Sequence, residues 1–213
     1  MMPTVLLILI LVFGVAALFW IILRNSAEKI AAQYGMLADN FGLELNLPKP
    51  AMGGFVRSEP SVYGRHESRE VSISAPGKGL QNTRQIETVL KVELKERELA
   101  AQLTGTGLLG GFRQRDSRGM DRWKSGEAAF DAAVDVRTND TALLDRLIDL
   151  KIQESLVTLL KKAKGSIYIG GGVIAYAELG LIADDARRER FESVLALFLR
   201  LAQTIESSSL KMD

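Results

Sequence analysis

The chain has no cysteine, and His66 is its only histidine. Disulfide bonds, zinc-thiolate sites, iron-sulfur clusters and thiol nucleophiles are therefore excluded, as are histidine-rich metal sites. An enzyme built on this sequence would have to use carboxylates, lysines, hydroxyls or backbone groups. Because no catalytic motif is recognisable either, we expect no metal site, no cofactor and no catalytic residue, and we favour a protein that is not an enzyme.

The chain also lacks an excess of charge of either sign, with 27 Lys and Arg against 26 Asp and Glu. A general nucleic-acid-binding protein presents a basic surface that attracts phosphate groups. The near balance of charge gives this molecule no such field as a whole. We therefore expect neither DNA nor RNA as a partner.

Charged residues are missing over a long N-terminal run, from Thr4 to Leu23. A helix of about 20 residues rises about 30 Å, which is the thickness of the hydrocarbon core of a bilayer. Trp20, near the end of the run, suits the interfacial zone. A cleaved signal peptide usually has a basic start and a shorter apolar region, and a core helix of this length rarely lacks a polar stripe. The run predicts a retained single-pass anchor in contact with the lipid bilayer.

The orientation of the anchor is predicted from the basic residues beside it. Arg24 and Lys29 follow the run, whereas no Lys or Arg precedes it. By the positive-inside rule, the C-terminal domain lies in the cytoplasm and a very short N-terminus lies outside. In a bacterial cell this corresponds to an inner-membrane protein with a cytoplasmic domain.

An amphipathic helix is predicted directly after the anchor, from Asn25 to Phe41. Apolar side chains recur there at spacings of four, three and four, and Gly42 is available to end the helix; the four apolar positions are Ile30, Tyr34, Leu37 and Phe41. Such a stripe either docks on the domain or pairs with a partner, and its short length favours docking. Self-association through the anchor and this stripe is a weaker possibility.

The rest of the chain predicts one folded domain. Glu70–Ala75 and Thr88–Lys95 alternate polar and apolar residues, which is typical of half-buried antiparallel strands. Ala128–Arg137 reads as a further strand. A helix capped by Asn139 or Asp140 is expected to run to about Ala163, because its leucines and isoleucines form one broad apolar face.

The C-terminal part predicts a hairpin and a last helix. The run from Ser166 to Ala177 reads as two strands joined by the turn Gly170–Gly172, and Asp184 or Asp185 should cap the helix that follows. This order of elements indicates the α+β class: an N-terminal transmembrane helix, then an antiparallel sheet covered on one face by helices. The predicted parts are the anchor at 1–24, a juxtamembrane amphipathic helix at 25–46, the soluble domain at 47–206 and a flexible tail at 207–213.

One stretch carries a resemblance. The run Phe130-Asp-Ala-Ala-Val-Asp-Val-Arg-Thr-Asn-Asp140, followed by a leucine-rich helix, a hairpin and a last helix, resembles a pattern in bacterial single-pass membrane proteins of unassigned function. The resemblance covers less than half of the chain. It implies a bacterial membrane protein and supplies no catalytic residue.

Two loop motifs are candidate ligand-binding sites. Gly105-Thr-Gly-Leu-Leu-Gly110 has the glycine spacing of a dinucleotide-binding loop, but no helical apolar period follows it, so we expect a surface loop. The next segment is basic and aromatic, and it predicts contact with anionic headgroups, a phosphorylated ligand or an acidic partner. A solvated charged loop is the other interpretation, and the carboxylates between the basic residues favour it. The residues of this predicted anionic contact are Arg113, Arg115, Arg118, Arg122, Trp123 and Lys124.

Carboxylates and the lone histidine complete the candidates. Asp131 and Asp135 lie four apart on the predicted strand and should share one face, where an acid pair or an ordinary wet sheet face fits equally. His66, beside Glu67, is expected to be an exposed turn residue. The leading hypothesis is a membrane-tethered, non-enzymatic domain that binds a protein or lipid partner. The alternative is a small-ligand receptor or enzyme with a pocket between sheet and helices, built from residues such as Asp131, Asp135 and Tyr168.

Overall fold

The fold is known from a computed structural model, which describes residues 2–50, 59–76, 86–106 and 119–209. A single helix, α1 (Met2–Phe41), contains both the apolar run and the amphipathic stretch. It ends at Gly42, whose φ of 62° is a left-handed conformation that glycine adopts without strain. The backbone N–H of Leu43 then donates to the carbonyl of Ala38, which closes the last turn.

Within the described residues, nine strands follow α1 and form one sheet in which every neighbouring pair is antiparallel. Along the chain they are β1 (Glu44–Asn46), β2 (Ser61–His66), β3 (Arg69–Ser74), β4 (Glu87–Glu93), β5 (Ala101–Gly105), β6 (Asp121–Trp123), β7 (Val134–Thr138), β8 (Ser166–Gly170) and β9 (Val173–Leu179). Their order in the sheet is β1-β2-β3-β4-β9-β8-β5-β7-β6. β1 covers positions that the predicted division assigned to the juxtamembrane helix.

The part of the chain that the structure describes has four further helices, between and after the strands: α2 (Ala128–Ala133), α3 (Thr141–Leu147), α4 (Leu150–Val157), which continues into a π turn (Thr158–Lys162), and α5 (Asp185–Ser209). Asp184 accepts a hydrogen bond from the backbone N–H of Arg187 and so caps α5, as expected. The predicted tail therefore begins inside a helix, and residues 210–213 lie outside the described part.

The helices pack on one face of the sheet, here called the covered face. Tyr34 of α1 hydrogen-bonds with Thr88 of β4, and Trp123 of β6 donates to Asp145 of α3. The core between the two layers is filled by fully buried side chains from both, among them Ile73, Leu90, Tyr176, Phe191 and Phe198. The predicted α+β class, with an antiparallel sheet and helices on one face, is confirmed.

Two predicted elements are wrong. The strand expected over Ala128–Arg137 begins only at Val134, since alanine favours helix and Ala128–Ala133 forms α2. The single helix expected up to Ala163 is broken after Leu147. Asp140 caps α3, but Asp149 also accepts a hydrogen bond from the backbone N–H of Ile152 and so starts α4 as a second helix.

Candidate functional site

The two parts of α1 meet different surroundings. From Ile10 to Phe19 its side chains are all exposed, with Phe13 at 71 % and Leu18 at 60 % exposure. Its C-terminal part is docked on the domain, where Tyr34 and Leu37 are fully buried. By length and composition, α1 is one helix near the N-terminus that can cross a membrane. The predicted docking of the amphipathic stripe is confirmed, so the buried part of the stripe is not free for self-association.

Polar contacts fix the docked part of α1 against α5. Gln33 donates to Asp185 and accepts from Nε of Arg188. Asn40 donates to Glu192 at 2.8 Å, seven residues further along α1. These contacts and the buried stripe hold α1 on the domain over its last two turns. The helix that carries the apolar run is therefore part of the domain core.

A groove lies where α1 leaves the apolar run. It has a volume of about 360 Å³, and apolar side chains make up most of its lining. Three of its lining residues are prolines, which have no N–H to leave without an acceptor. Its charged lining residues are Lys49 and Glu59; the others are Ala27, Ile30, Ala31, Leu47, Pro48, Pro50, Pro60 and Leu181. Sequence reasoning missed this groove because its walls come from four separate segments of the chain.

The predicted basic contact is only partly within the described residues. Arg113, Arg115 and Arg118 lie outside them, so the contact with an anionic surface stays a prediction. Arg122 is half exposed, with Nε 2.8 Å from Asp135, and Lys124 is exposed. The predicted surface contact of Trp123 is wrong, because this residue is buried, with 6 % exposure. Its ring packs edge-on against Phe130, and its indole N–H donates to Asp145.

The predicted carboxylate pair does not form. Asp131 is in α2, where its carboxylate accepts hydrogen bonds from the backbone N–H groups of Ser125 and Gly126. Asp135 is on β7 beside Arg122 and Arg137. By strand register, Asp135 and Tyr168 lie on the sheet face opposite the helices, so these residues do not build a pocket between sheet and helices.

His66 and the glycine loop have structural explanations. His66 is half-buried, and its Nδ1 lies 2.8 Å from the carbonyl of Phe41, which can only accept, so Nδ1 is the donor of this hydrogen bond. The expectation of an exposed turn residue is wrong, because this ring closes the end of α1. Gly105 ends β5, and a Cβ there would lie 2.5 Å from the carbonyl oxygen of Leu160. Residues 107–110 of the glycine motif lie outside the described part.

A buried charge cluster on the covered face was not predicted. Glu178 of β9 is 4 % exposed and receives both Nε and Nη2 of Arg190, at 2.8 and 2.7 Å. Arg187 lies 3.2 Å away, and the hydroxyl of Tyr176 donates to the same carboxylate. Burial, and then the charge of Glu178, raise the pKa of Tyr176 far above its usual range. With its oxygens occupied by these donors, Glu178 acts as a clamp between β9 and α5.

A second clamp joins the far end of α5 to the sheet. Both terminal nitrogens of Arg69 bind the two carboxylate oxygens of Glu206, and the backbone N–H of Lys95 donates to the same group at 2.9 Å. The hydrogen bond from Arg69 holds the pKa of Glu206 below its ordinary value. No local pattern in the sequence marks this pair, because Arg69 and Glu206 are far apart along the chain.

The opposite face of the sheet carries two adjoining cavities of about 540 and 300 Å³, which share Lys91 and Val173. The smaller one is also lined by Gln102 and Tyr168. Gln102 is 6 % exposed, and within the described part of the chain its Oε1 receives no hydrogen bond. An unpaired buried carbonyl oxygen is costly, so this atom is an acceptor available to a polar group in the cavity.

Comparison with known proteins gives a fold relationship. No protein-family model and no curated protein sequence matches the chain. Among solved structures, the chain is similar to the mycobacterial trehalose monomycolate transport factor A, TtfA, with a TM-score of 0.55 and 13 % sequence identity. The match covers 82 % of this chain and 95 % of that one. At this identity the likeness extends to the fold, an α+β domain shared over most of both chains.

Proposed function

We propose that this protein is a membrane-tethered, non-enzymatic accessory factor whose domain holds a protein or lipid partner at the membrane surface. One observation carries the proposal: α1 is at once an exposed apolar helix and a core element of the domain. Such a helix keeps the domain at the bilayer in a fixed relation to it. The name of TtfA, a transport factor, supports an accessory role of this general kind.

The proposal includes a place in the cell. Arg24 and Lys29 follow the apolar run, which favours a cytoplasmic domain under the positive-inside rule. The resemblance of Phe130–Asp140 to bacterial single-pass membrane proteins supports a bacterial inner membrane. Neither a nucleic acid nor a cofactor forms part of the proposed role.

Membrane attachment is tested by expressing the full chain in a bacterium and washing the membranes with alkaline carbonate. We expect the full chain to stay in the inner-membrane fraction and a variant lacking residues 2–23 to appear in the supernatant. Reporters fused after Asp213, one active only in the cytoplasm and one only outside it, then give the orientation. A full chain washed off by carbonate contradicts the tether, and an active external reporter contradicts the cytoplasmic placement.

Anionic lipid contact is tested separately. The basic segment from Arg113 to Lys124 motivates weak binding of the domain to anionic vesicles at low salt. A variant lacking residues 2–23 should sediment more with vesicles of phosphatidylglycerol than with vesicles of phosphatidylcholine. Equal sedimentation with both would remove the lipid headgroup as a partner of this segment and leave an acidic protein partner.

A second candidate function, a small-ligand receptor, is favoured by Oε1 of Gln102, which receives no hydrogen bond from any residue that the structure describes. This site lies on the opposite face, and not between sheet and helices where the sequence suggested it. A ligand there would donate a hydrogen bond to Gln102 beside Tyr168 and Lys91. Replacing Gln102 by methionine tests it: a chain that carries no ligand should become no less stable, whereas a chain purified with a bound ligand should lose stability.

A further inference from the structure

We infer that the groove beside α1 receives an acyl chain of a membrane phospholipid. The inference rests on the proposed membrane attachment and specifies the partner. It uses only the groove lined by Ala27, Ala31, Leu47 and their neighbours, and it does not involve the basic segment.

The groove lies close to the end of the apolar run. The groove begins at Ala27, four residues beyond Leu23, the end of the apolar run. At a rise of 1.5 Å per residue, its wall on α1 starts about 6 Å above the hydrocarbon core, which is about the depth of a headgroup layer. An acyl chain reaches this level by leaving the bilayer along α1 without crossing bulk water.

The lining of the groove suits an apolar ligand. The lining is mostly alanine, leucine, isoleucine and proline, and the two alanines on α1 leave space that larger side chains would fill. An apolar ligand gains free energy in proportion to the apolar area that it removes from water, and the three lining prolines present no N–H groups that it would mask. The volume of about 360 Å³ is within the range of small-ligand sites.

A basic side chain lies at the rim of the groove. Lys49 is exposed and lies on the lining between two of the prolines. A lysine at headgroup height attracts the phosphate of the lipid whose chain lies in the groove. Leu47, 51 % exposed beside Pro48, adds to the apolar surface of the groove.

The test uses the full chain in phosphatidylcholine vesicles that contain a phospholipid with a photoactivatable group on its acyl chain. After irradiation, digestion and mass spectrometry locate the lipid adducts. We expect adducts on Ile30–Lys49 in addition to those on the anchor. A variant with Ala31→Trp, which fills the groove, should lose the adducts on Ile30–Lys49 by about tenfold.

Ala32→Trp is the matched control, because Ala32 is the next residue of the same helix, is exposed and does not line the groove. It should keep the adducts. Adducts confined to residues up to Leu23 in the wild-type chain overturn the acyl-chain site while leaving the tether intact. Absence of adducts from the anchor as well shows that the tether itself has failed. Equal loss of adducts in both tryptophan variants also overturns the site.

Discussion

The two faces of the sheet are built differently, although the same strands make both. The covered face is apolar and closed, and its ionic groups are paired: Glu178 with two arginines, and Glu206 with Arg69. The opposite face is polar, carries two cavities and includes Gln102, whose Oε1 has no donor in the described part. Stability is concentrated where side chains fill space and pair with one another, and the capacity to bind is found where they do not.

The largest expected effect is on the covered face. Phe198 of α5 is fully buried, and Phe198→Ala should lower the free energy of unfolding by about 3–5 kcal/mol through the cavity it leaves. Tyr63 on the opposite face is 46 % exposed, so Tyr63→Ala should cost less than about 1 kcal/mol. Denaturant unfolding of the full chain in detergent measures both. Similar losses in the free energy of unfolding for the two variants would contradict the proposed difference between the faces.

The clamp between β9 and α5 should have the next largest effect. Glu178→Gln removes the charge that Arg187 and Arg190 neutralise, and breaking a buried pair costs several kcal/mol. Because both arginines are about a quarter exposed and can turn to water, we expect a loss nearer about 2 kcal/mol. Glu189→Gln, at an exposed position of α5, is the control and should change the midpoint little. A loss below that of the control would show that the clamp contributes nothing to stability.

Acid should weaken the covered face through Glu206. Its pKa is lowered in the folded chain by Arg69, so its contribution is complete above the unfolded value of 4.5 and disappears as the pH falls through the lower, folded value. Wild type should therefore exceed Glu206→Gln by about 1 kcal/mol at pH 7, and the two should converge at low pH. Unfolding curves at several pH values measure the difference. A difference that persists at pH 2 would rule out this titration.

The smallest effect is expected on the opposite face, with the opposite sign. Gln102→Met removes a buried oxygen that has no donor among the described residues, and it keeps a similar volume, so the ligand-free chain should be equally stable or gain up to about 1 kcal/mol. Gln153→Met is the matched control, since the amide of this buried glutamine donates to the carbonyl of Ile148, and it should destabilise the chain. Equal losses for both would mean that Gln102 is paired in solution.

Sequence patterns predicted the parts of this fold in which local signals agree. The end of α1 at Gly42, the glycine turn between β8 and β9 and the cap of α5 at Asp184 each combine a periodic apolar pattern with a residue suited to the boundary. The break between α3 and α4 was missed because the apolar period continues across Asp149, and only the hydrogen bond that this carboxylate accepts from the backbone N–H of Ile152 marks the new start.

The site features were harder to predict because they depend on distant segments. Trp123 looked like a surface aromatic among basic residues, yet its partners Phe130 and Asp145 place it in the core. The groove joins α1 to segments that follow its α1 wall by about 20, 30 and 150 residues in the chain, so no local pattern marks it. Glu178 and its arginines are closer in sequence, but a carboxylate in an apolar strand does not identify its partner.

Because α1 runs without a break from the apolar run into the core, it also fixes the rotational orientation of the domain about the helix axis. Each helical residue turns the chain by about 100°, so one residue inserted between Leu23 and Asn25 would rotate the whole domain by that angle about the axis of α1. Whatever the groove faces in the native protein would then face another direction, with every contact inside the domain unchanged. The number of residues in this part of α1 thus determines the direction in which the domain faces at the membrane.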